Sequence, residues 1–332
     1  MHYDVFNGDA DGIIALLQLR LSISKPYPKE STLVTGVKRD ISLLRQVDAE
    51  LATSVTVLDI SLEKNNAALS VLLEKEVNVF YVDHHRAGDI PESNRLTSLI
   101  NTDANTCTSL LVNNHLNNEF VNWTIVAAFG DNMQASAQSL AEKHNLSIGQ
   151  QALLKELGTY INYNGYGRSV DDLHFHPAQL FEQLLSYSDP FDLINEADSI
   201  FHQLKKVYLA DMAKAKKSAV LIDNEQLSAV QLKDEPWARR VSGVFGNELA
   251  NASPNKAHVV VTLNERTLNE STTNEEATYT ISLRAPLNNK QGAGGLCASF
   301  PTGGGRAAAA GVNALPSEML GDFFDSVAKY YN

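Results

Sequence analysis

The first 130 residues alternate short apolar runs with segments of helical spacing. Residues 3–6, 33–36, 55–58 and 77–82 have the length and the β-branched or aromatic content of strands. Residues 13–21 and 63–75 carry apolar positions at helical spacing. Strands alternating with helices predict crossover units, hence an α/β domain whose mostly parallel sheet is covered by helices on both faces. From Cys107 to about Tyr187 the pattern is mainly helical, interrupted by a polar, glycine-bearing stretch at 158–176. The run 191–219 contains no Gly or Pro and reads as one long helix linking two domains. Beyond it, strands are predicted at 218–222, 227–232, 258–263 and 279–283, with a helix at 237–250 among them and a closing helix at 319–331. Residues 264–277, rich in Asn, Thr and Glu, read as an exposed hairpin or loop. The expected organisation is a first domain over 1–190, a linker helix over 191–219 and a smaller α/β domain over 220–332.

Composition narrows the function classes. A chain of 332 residues with 44% hydrophobic and 20% charged positions folds around real cores, and its length favours two domains. Asp plus Glu total 39 against 27 Lys plus Arg, a net charge of −12, so the chain lacks the basic footprint that coats long duplex nucleic acid. A small phosphorylated substrate at a local site remains compatible with that charge. Two cysteines, Cys107 and Cys297, make neither a disulfide scaffold nor a metal-ligand spacing, which fits a reducing compartment. No basic-then-apolar leader opens the sequence, and no apolar run approaches the ~20 residues of a membrane span. The expectation is a cytoplasmic protein without a membrane partner.

Three of the four N-terminal strands run into acids. The first gives Asn7-Gly8-Asp9-Ala10-Asp11-Gly12, the third Asp59, and the fourth Asp83-His84-His85. In an open parallel sheet the C-terminal strand edge is where ligands bind. Carboxylates converging there repel one another, and a bound cation resolves the repulsion. Carboxylate plus imidazole suits Mn²⁺, Mg²⁺ or Zn²⁺. Two metals sharing a carboxylate would clamp a phosphoryl group for transfer to water. A single Asp after a strand is as readily a helix cap. It is the conjunction at three strand ends that carries the metal reading.

In this order the motifs resemble those of the DHH phosphoesterase superfamily, which includes RecJ-type exonucleases, nanoRNases, cyclic-dinucleotide phosphodiesterases, exopolyphosphatases and family II pyrophosphatases. Residues 127–132, Ala-Ala-Phe-Gly-Asp-Asn, resemble its fourth motif, with Asp131 as the acid. Gly303-Gly304-Gly305-Arg306 and the residues up to Gly311 resemble the glycine-rich motif of the DHH-associated C-terminal domain, and Ser282-Leu283-Arg284 its Ser-x-Arg strand. The resemblance implies two Mn²⁺ ions per chain, with Mg²⁺ as the alternative. Asp9 and Asp59, with Asn7 beside them, would hold one ion. Asp11, Asp59, His84 and Asp131 would hold the other, Asp59 bridging. Asp83 would support the site and His85 would meet the phosphate, as the catalytic pair. Arg284, Arg306 and the backbone amides of a loop at Gly303, Gly304 and Gly305 would bind the distal phosphate or nucleotide.

Two departures stand out. Val5 and Asn7 occupy the positions where family members carry a His or an Asp ligand, and Arg306 stands where a His is usual. The implied activity is metal-dependent hydrolysis of phosphodiester bonds by in-line attack of an activated water. Its substrates would be small: short single-stranded oligonucleotides, dinucleotides or nucleoside bisphosphates, held between two domains that close on each other. One alternative is an exopolyphosphatase or pyrophosphatase-like phosphatase. Another, motivated by Val5 and Asn7, is a nucleotide-binding sensor without turnover. Monomer and homodimer are both compatible with the sequence.

Residues 160–168 contain three tyrosines, two asparagines and two glycines. They read as a helix–helix connection in preference to a loop that stacks on a base. His174 and His176 read as surface residues in preference to a third metal site. Residues 106–109 follow a strand and would cap the next helix or touch phosphate. Lys205, Lys206, Lys214, Lys216 and Lys217 read as a solvated helix face.

Overall fold

The alternation of the first 130 residues builds a five-stranded, all-parallel sheet in the computed structural model. The structure describes the chain except residues 24–26, 29, 104 and 265–276. The expected loop at 264–277 therefore lies almost entirely outside the described residues. Strands β1 (His2–Phe6), β2 (Thr32–Val34), β3 (Ser54–Leu58), β4 (Asn78–Asp83) and β5 (Leu96–Ile100) lie in the order β2-β1-β3-β4-β5. β5 is the strand expected ahead of residue 106. The chain runs from β1 to one side of the sheet and returns to the other. The strand order therefore reverses between β1 and β3, where a parallel sheet opens its ligand crevice.

Both faces are covered, as expected. On one, Val5, Val55, Val57, Val79 and Tyr81 pack with Leu62, Leu69 and Leu72 of α2 (Leu62–Glu74). On the other lies α1 (Ala10–Leu21), buried on every side from Ala10 to Leu19, which explains its nearly continuous apolar sequence. The buried Asp4 of β1 pins α1 by accepting from Arg20 at 2.8 Å. Phe6 meets Phe181 of α7 (Pro177–Leu184) with ring centroids 5.8 Å apart.

Helices α3 (Thr108–His115), α4 (Val121–Gly130), α5 (Gln134–Lys143) and α6 (Ile148–Asn164) follow the sheet. Here the structure corrects the sequence reading. The expected interruption from residue 158 does not begin there, because α6 continues six residues further. Gly158 sits inside α6 because a Cβ there would lie 2.2 Å from the Val126 carbonyl oxygen of α4. The glycine permits a close helix crossing and ends nothing.

The long linker helix is also corrected. It is α8 (Pro190–Asn195) and α9 (Ile200–Ala215), separated by a break in which Asp198 takes φ of 62°. The chain divides into two compact units, Met1–Val207 and Tyr208–Asn332, so the boundary falls inside α9.

The second unit holds a six-stranded mixed sheet of β6 (Ala219–Asp223), β7 (Leu227–Leu232), β8 (Ala257–Asn264), β9 (Thr278–Arg284), β10 (Gly303–Gly305) and β11 (Ala309–Pro316). Only β7 and β8 pair in parallel, joined through α10 (Pro236–Ala252). Val259, Val261, Ile281, Leu283 and Val312 form its core with Phe323 and Val327 of α12 (Leu320–Tyr330), and α11 (Ala293–Ala298) contributes Ala293 and Cys297. Buried Arg240 of α10 donates to Asp211 of α9 from Nε at 3.0 Å and Nη2 at 2.7 Å, fastening the second half of α9 to this unit. Among the described residues no helix is long and apolar enough to cross a membrane.

Candidate metal centre

The C-terminal edge of the parallel sheet gathers the acids. Asp9 follows β1 and caps α1, its Oδ1 accepting from the amides of Asp11 and Gly12, each at 3.1 Å. Asp11, the second residue of α1, reaches the start of α3. Its Oδ2 accepts from the Thr108 amide at 2.7 Å and its Oδ1 from the Ser109 amide at 2.8 Å. The hydroxyls at 108 and 109, expected to cap this helix or touch phosphate, go instead to Asp59 and to the Asp11 carbonyl, and the amides to the Asp11 carboxylate. Asp59 follows β3 with φ of 60°, a left-handed conformation uncommon for a non-glycine residue, and Thr108 Oγ1 donates to it at 3.1 Å. Asp83 ends β4 and accepts from His85 Nδ1 at 2.7 Å. Asp131 caps the C-terminus of α4, its amide donating to the Ala127 carbonyl at 2.8 Å.

His84 stands in the middle. Its Nε2 lies 3.4 Å from Asp59 Oδ1, 3.7 Å from Asp131 Oδ2 and 3.9 Å from Asp11 Oδ2. Ligands ~2.1 Å from one metal at octahedral or tetrahedral angles stand roughly 3.0–3.4 Å apart. One imidazole nitrogen facing three carboxylates is therefore the edge set of a coordination shell. Asp131 Oδ2 is buried without a hydrogen-bond partner among the described residues, as is Asp83 Oδ2. Asp59, His84 and His85 form one potential ligand group, and Asp11, His84 and Asp131 a second. Hard oxygen donors with imidazole fit Mn²⁺ or Mg²⁺.

Electrostatics divide the acids. Asp59 is pushed well above the ordinary carboxylate range, first by burial and then by Asp11, Asp9, Asp131 and Asp83 around it. Asp9 is held down at about 2. Burial would raise it, but Lys38, with which it forms an ion pair, and the helix amides prevail. His85 is raised: burial lowers it, and Asp83, joined by Asp131 and Asp9, outweighs that.

No protein-family model and no curated protein matches this sequence. Solved structures do. An exonuclease RecJ bound to manganese aligns over 99% of this chain and 89% of its own, with a TM-score of 0.55 and 17% identity. RecJ from Thermus thermophilus in complex with Mn²⁺ aligns over 99% of this chain, with a TM-score of 0.54 and 15% identity. This chain spans 52% of that longer protein. The pGpG-specific phosphodiesterase PggH from Vibrio cholerae aligns over 100% and 99% of the two chains, with a TM-score of 0.52 and 12% identity. The chain shares the fold of these proteins.

Within that fold the first unit brings together Asp9, Asp11, Asp59, Asp83, His84, His85 and Asp131. Asn7 is buried beside them, but both ends of its amide brace the loop: Oδ1 accepts from the Asp9 amide at 3.2 Å and Nδ2 donates to the Lys38 carbonyl at 3.4 Å. Arg284 and the glycine motif belong to the second unit. Arg284 donates to Asn247 Oδ1 at 2.6 Å, Ser282 Oγ at 3.0 Å and the Gly243 carbonyl at 3.0 Å, so its guanidinium ties β9 to α10. The expected Gly303–Gly305 loop is instead the edge strand β10, paired antiparallel with β11. Gly303 is required there because a Cβ would lie 1.7 Å from the Cys297 carbonyl oxygen. Arg306 follows at the exposed turn, its amide donating to the Ala309 carbonyl at 2.9 Å.

The sequence reading missed Lys38. Its Nζ donates to Asp9 Oδ2, to Asn162 Oδ1 at 3.2 Å and to Asp131 Oδ1 at 3.3 Å. Burial would lower this ammonium, but Asp9, Tyr166 and Asp131 hold it well above its usual value. The signal was available: Lys38 lies four residues beyond β2, at the same sheet edge as the acids, yet only acids were sought there. Residues 160–168 contribute through Asn162 and through Tyr166, whose half-buried ring centroid lies 5.8 Å from Lys38 Nζ. Tyr160 and Tyr163 are buried and offer no face to a base. His174 bonds to the Tyr163 hydroxyl at 3.0 Å and His176 caps α7 at Ala178, which places both histidines in loop packing.

Proposed function

We propose that this chain is a metal-dependent phosphoesterase that hydrolyses phosphodiester bonds in small nucleotide substrates: short single-stranded oligonucleotides, dinucleotides or nucleoside bisphosphates. The observation that carries the proposal is His84 Nε2 facing Asp11, Asp59 and Asp131 at 3.4–3.9 Å. Those four residues would hold the ion, Mn²⁺ or Mg²⁺. When bound, it supplies Lewis acidity toward phosphate and lowers the pKa of water toward neutrality.

The chain's own groups do the rest. Asp83 takes the His85 Nδ1 proton in a hydrogen bond and fixes the ring. In the imidazolium form, which Asp83 favours, His85 Nε2–H then donates to a phosphate oxygen or gives its proton to the leaving oxygen, from a side chain 37% exposed. Tyr166 offers an aromatic face beside Lys38, which favours a nucleotide over a bare phosphate chain. Arg306, exposed in the second unit, forks onto an anion as the glycine-motif contribution to substrate binding. The fold relatives RecJ, an exonuclease, and PggH, a pGpG-specific phosphodiesterase, support a nucleotide substrate. A net charge of −12 argues for small substrates over long duplexes.

The test is hydrolysis of a 5′-labelled RNA dinucleotide with Mn²⁺, beside a His84→Ala control. Mononucleotide release that needs Mn²⁺ and disappears in the variant is the expected result. Release from inorganic polyphosphate alone would reassign the substrate. Binding without turnover of either would replace the enzyme by a sensor.

A further inference from the structure

The Asp9 side of the centre is already filled by a cation of the protein's own. Lys38 Nζ sits among three oxygens, Asp9 Oδ2, Asn162 Oδ1 at 3.2 Å and Asp131 Oδ1 at 3.3 Å. Asp9 Oδ1 is occupied as well, by the amides of Asp11 and Gly12. The Asp9 oxygen that the helix amides leave open is therefore held by a full positive charge, whereas the amides that donate to both Asp11 oxygens are neutral. The two potential ligand groups share His84, and neither contains Asp9.

Lys38 is also held in place along its backbone. Its amide donates to the Gly165 carbonyl at 2.8 Å, and its carbonyl accepts from Asn7 Nδ2 at 3.4 Å. Gly165 packs directly on the Asp9 loop, since a Cβ there would lie 3.0 Å from the Gly8 carbonyl oxygen and 3.1 Å from Asp9 Cα. Asn7, a neutral residue at the neighbouring position, adds no charge to draw a second metal ion. An ammonium and a divalent cation on the same carboxylate oxygen would repel each other at close range, whereas at Asp131 Lys38 takes Oδ1 and leaves Oδ2 facing His84.

We infer that the Lys38 ammonium takes the place of one metal ion beside Asp9, and that the centre binds a single divalent cation, on Asp11, Asp59, His84 and Asp131, where two were expected. The inference rests on the metal-dependent reading proposed above. In that arrangement Lys38 contributes its positive charge to the same pocket as the ion, and its Nζ is a donor available to a substrate phosphate once it yields one of its three acceptors.

The test counts ions. Metal-free protein is equilibrated with Mn²⁺ by dialysis, the bound metal is measured by mass spectrometry and its environment by electron paramagnetic resonance. The parent is expected to hold one Mn²⁺ per chain, with the spectrum of an isolated ion. Lys38→Ala, which frees Asp9 Oδ2, is expected to take up a second, with circular dichroism confirming its fold. Two ions in the parent, or a spin-coupled pair, would overturn the role of Lys38 and leave the metal-dependent reading intact. No bound ion would overturn both. A folded Lys38→Ala protein that still holds one ion would also sink the inference, because Lys38 would not be what excludes the second. Lys38→Met, close in shape but without charge, replaces the alanine variant if that one fails to fold, and the parent's own ion count and spectrum stand regardless.

Discussion

Gly158→Ala adds one methyl group where α6 crosses α4, and its consequences are traceable to Asp131. The new Cβ would lie 2.2 Å from the Val126 carbonyl oxygen and 2.9 Å from the Gly130 amide nitrogen, while ordinary contact begins at 3.4 Å. Both obstacles are backbone, so no side chain can swing aside, and the helices must part by roughly 1 Å, the kind of forced shift that costs about 1–3 kcal/mol in a packed core. An overlap onto backbone at 2.2 Å puts the cost in the upper part of that range, and alanine returns about 1 kcal/mol in helix propensity, so the net loss is roughly 1–2 kcal/mol. In a unit of this size each kcal/mol moves Tm by about 2–4 °C, so the expected drop is about 2–8 °C.

The site moves too. Asp131 follows Gly130 directly, and Asn162 lies one turn beyond Gly158, so the displacement separates Asp131 from His84, 3.7 Å away in the parent. Mn²⁺ affinity should fall by roughly tenfold or more, as when groups that orient metal ligands are disturbed. The control is Gly149→Ala in the same helix, where an added Cβ meets nothing within 4 Å. It should leave Mn²⁺ binding alone and raise Tm slightly. Thermal unfolding with chelator and a Mn²⁺ titration read both effects. If Gly158→Ala behaves like Gly149→Ala, the α4–α6 contact does not set the position of Asp131, and the reasoning fails.

Three further predictions follow from the same geometry. Mn²⁺ at about 100 times its Kd should stabilise the protein by about 2.7 kcal/mol, raising Tm by about 5–11 °C, with chelator reversing the shift in calorimetry. His85→Gln should lower kcat by about 10²–10⁴-fold with bound Mn²⁺ unchanged. A loss of metal in that variant would make His85 a ligand. Asp4→Asn should cost about 3–5 kcal/mol in chemical denaturation, because Arg20 then loses the carboxylate that accepts its 2.8 Å bond. Burial would raise the Asp4 carboxyl, but His2, Ser31, Tyr27 and Arg20 hold it below its ordinary 3.8. Its stabilisation is thus complete above pH 3.8 and lost as pH falls through the lower folded value. Acid unfolding followed by circular dichroism should be steeper below that pH in the parent than in the variant.

The N-terminal half was legible because its strands are β-branched and end in acids, so pattern and chemistry pointed to the same sheet edge. The C-terminal half was only partly so. β11 reads Ala-Ala-Gly-Val-Asn-Ala-Leu-Pro, with little intrinsic strand preference, and it forms because β9 and β10 pair with it on either side. Helical spacing carries no mark of a single left-handed residue such as Asp198, so the run at 191–219 looked unbroken. Gly158 looked like a helix breaker because its reason for being glycine lies on another helix. Lys38 escaped because repulsion among acids suggests a metal before it suggests a lysine.

The structural and chemical readings of the acids prove not to be alternatives. In a parallel α/β sheet, the N-termini of the following helices open at the same edge as the strand C-termini, so cap and ligand positions coincide. Asp9 and Asp11 each take two helix amides, and Asp9 also takes Lys38. Those bonds neutralise one side of the cluster within the protein itself, which is why Asp9 is pulled down. Asp59 and Asp131 receive far less: Asp59 is pushed up, and Asp131 keeps a buried oxygen without a hydrogen-bond partner among the described residues. The uncompensated charge therefore collects around His84, on one side only. A centre with one such deficit calls for one cation, and the fold has placed an imidazole where that cation would complete its shell.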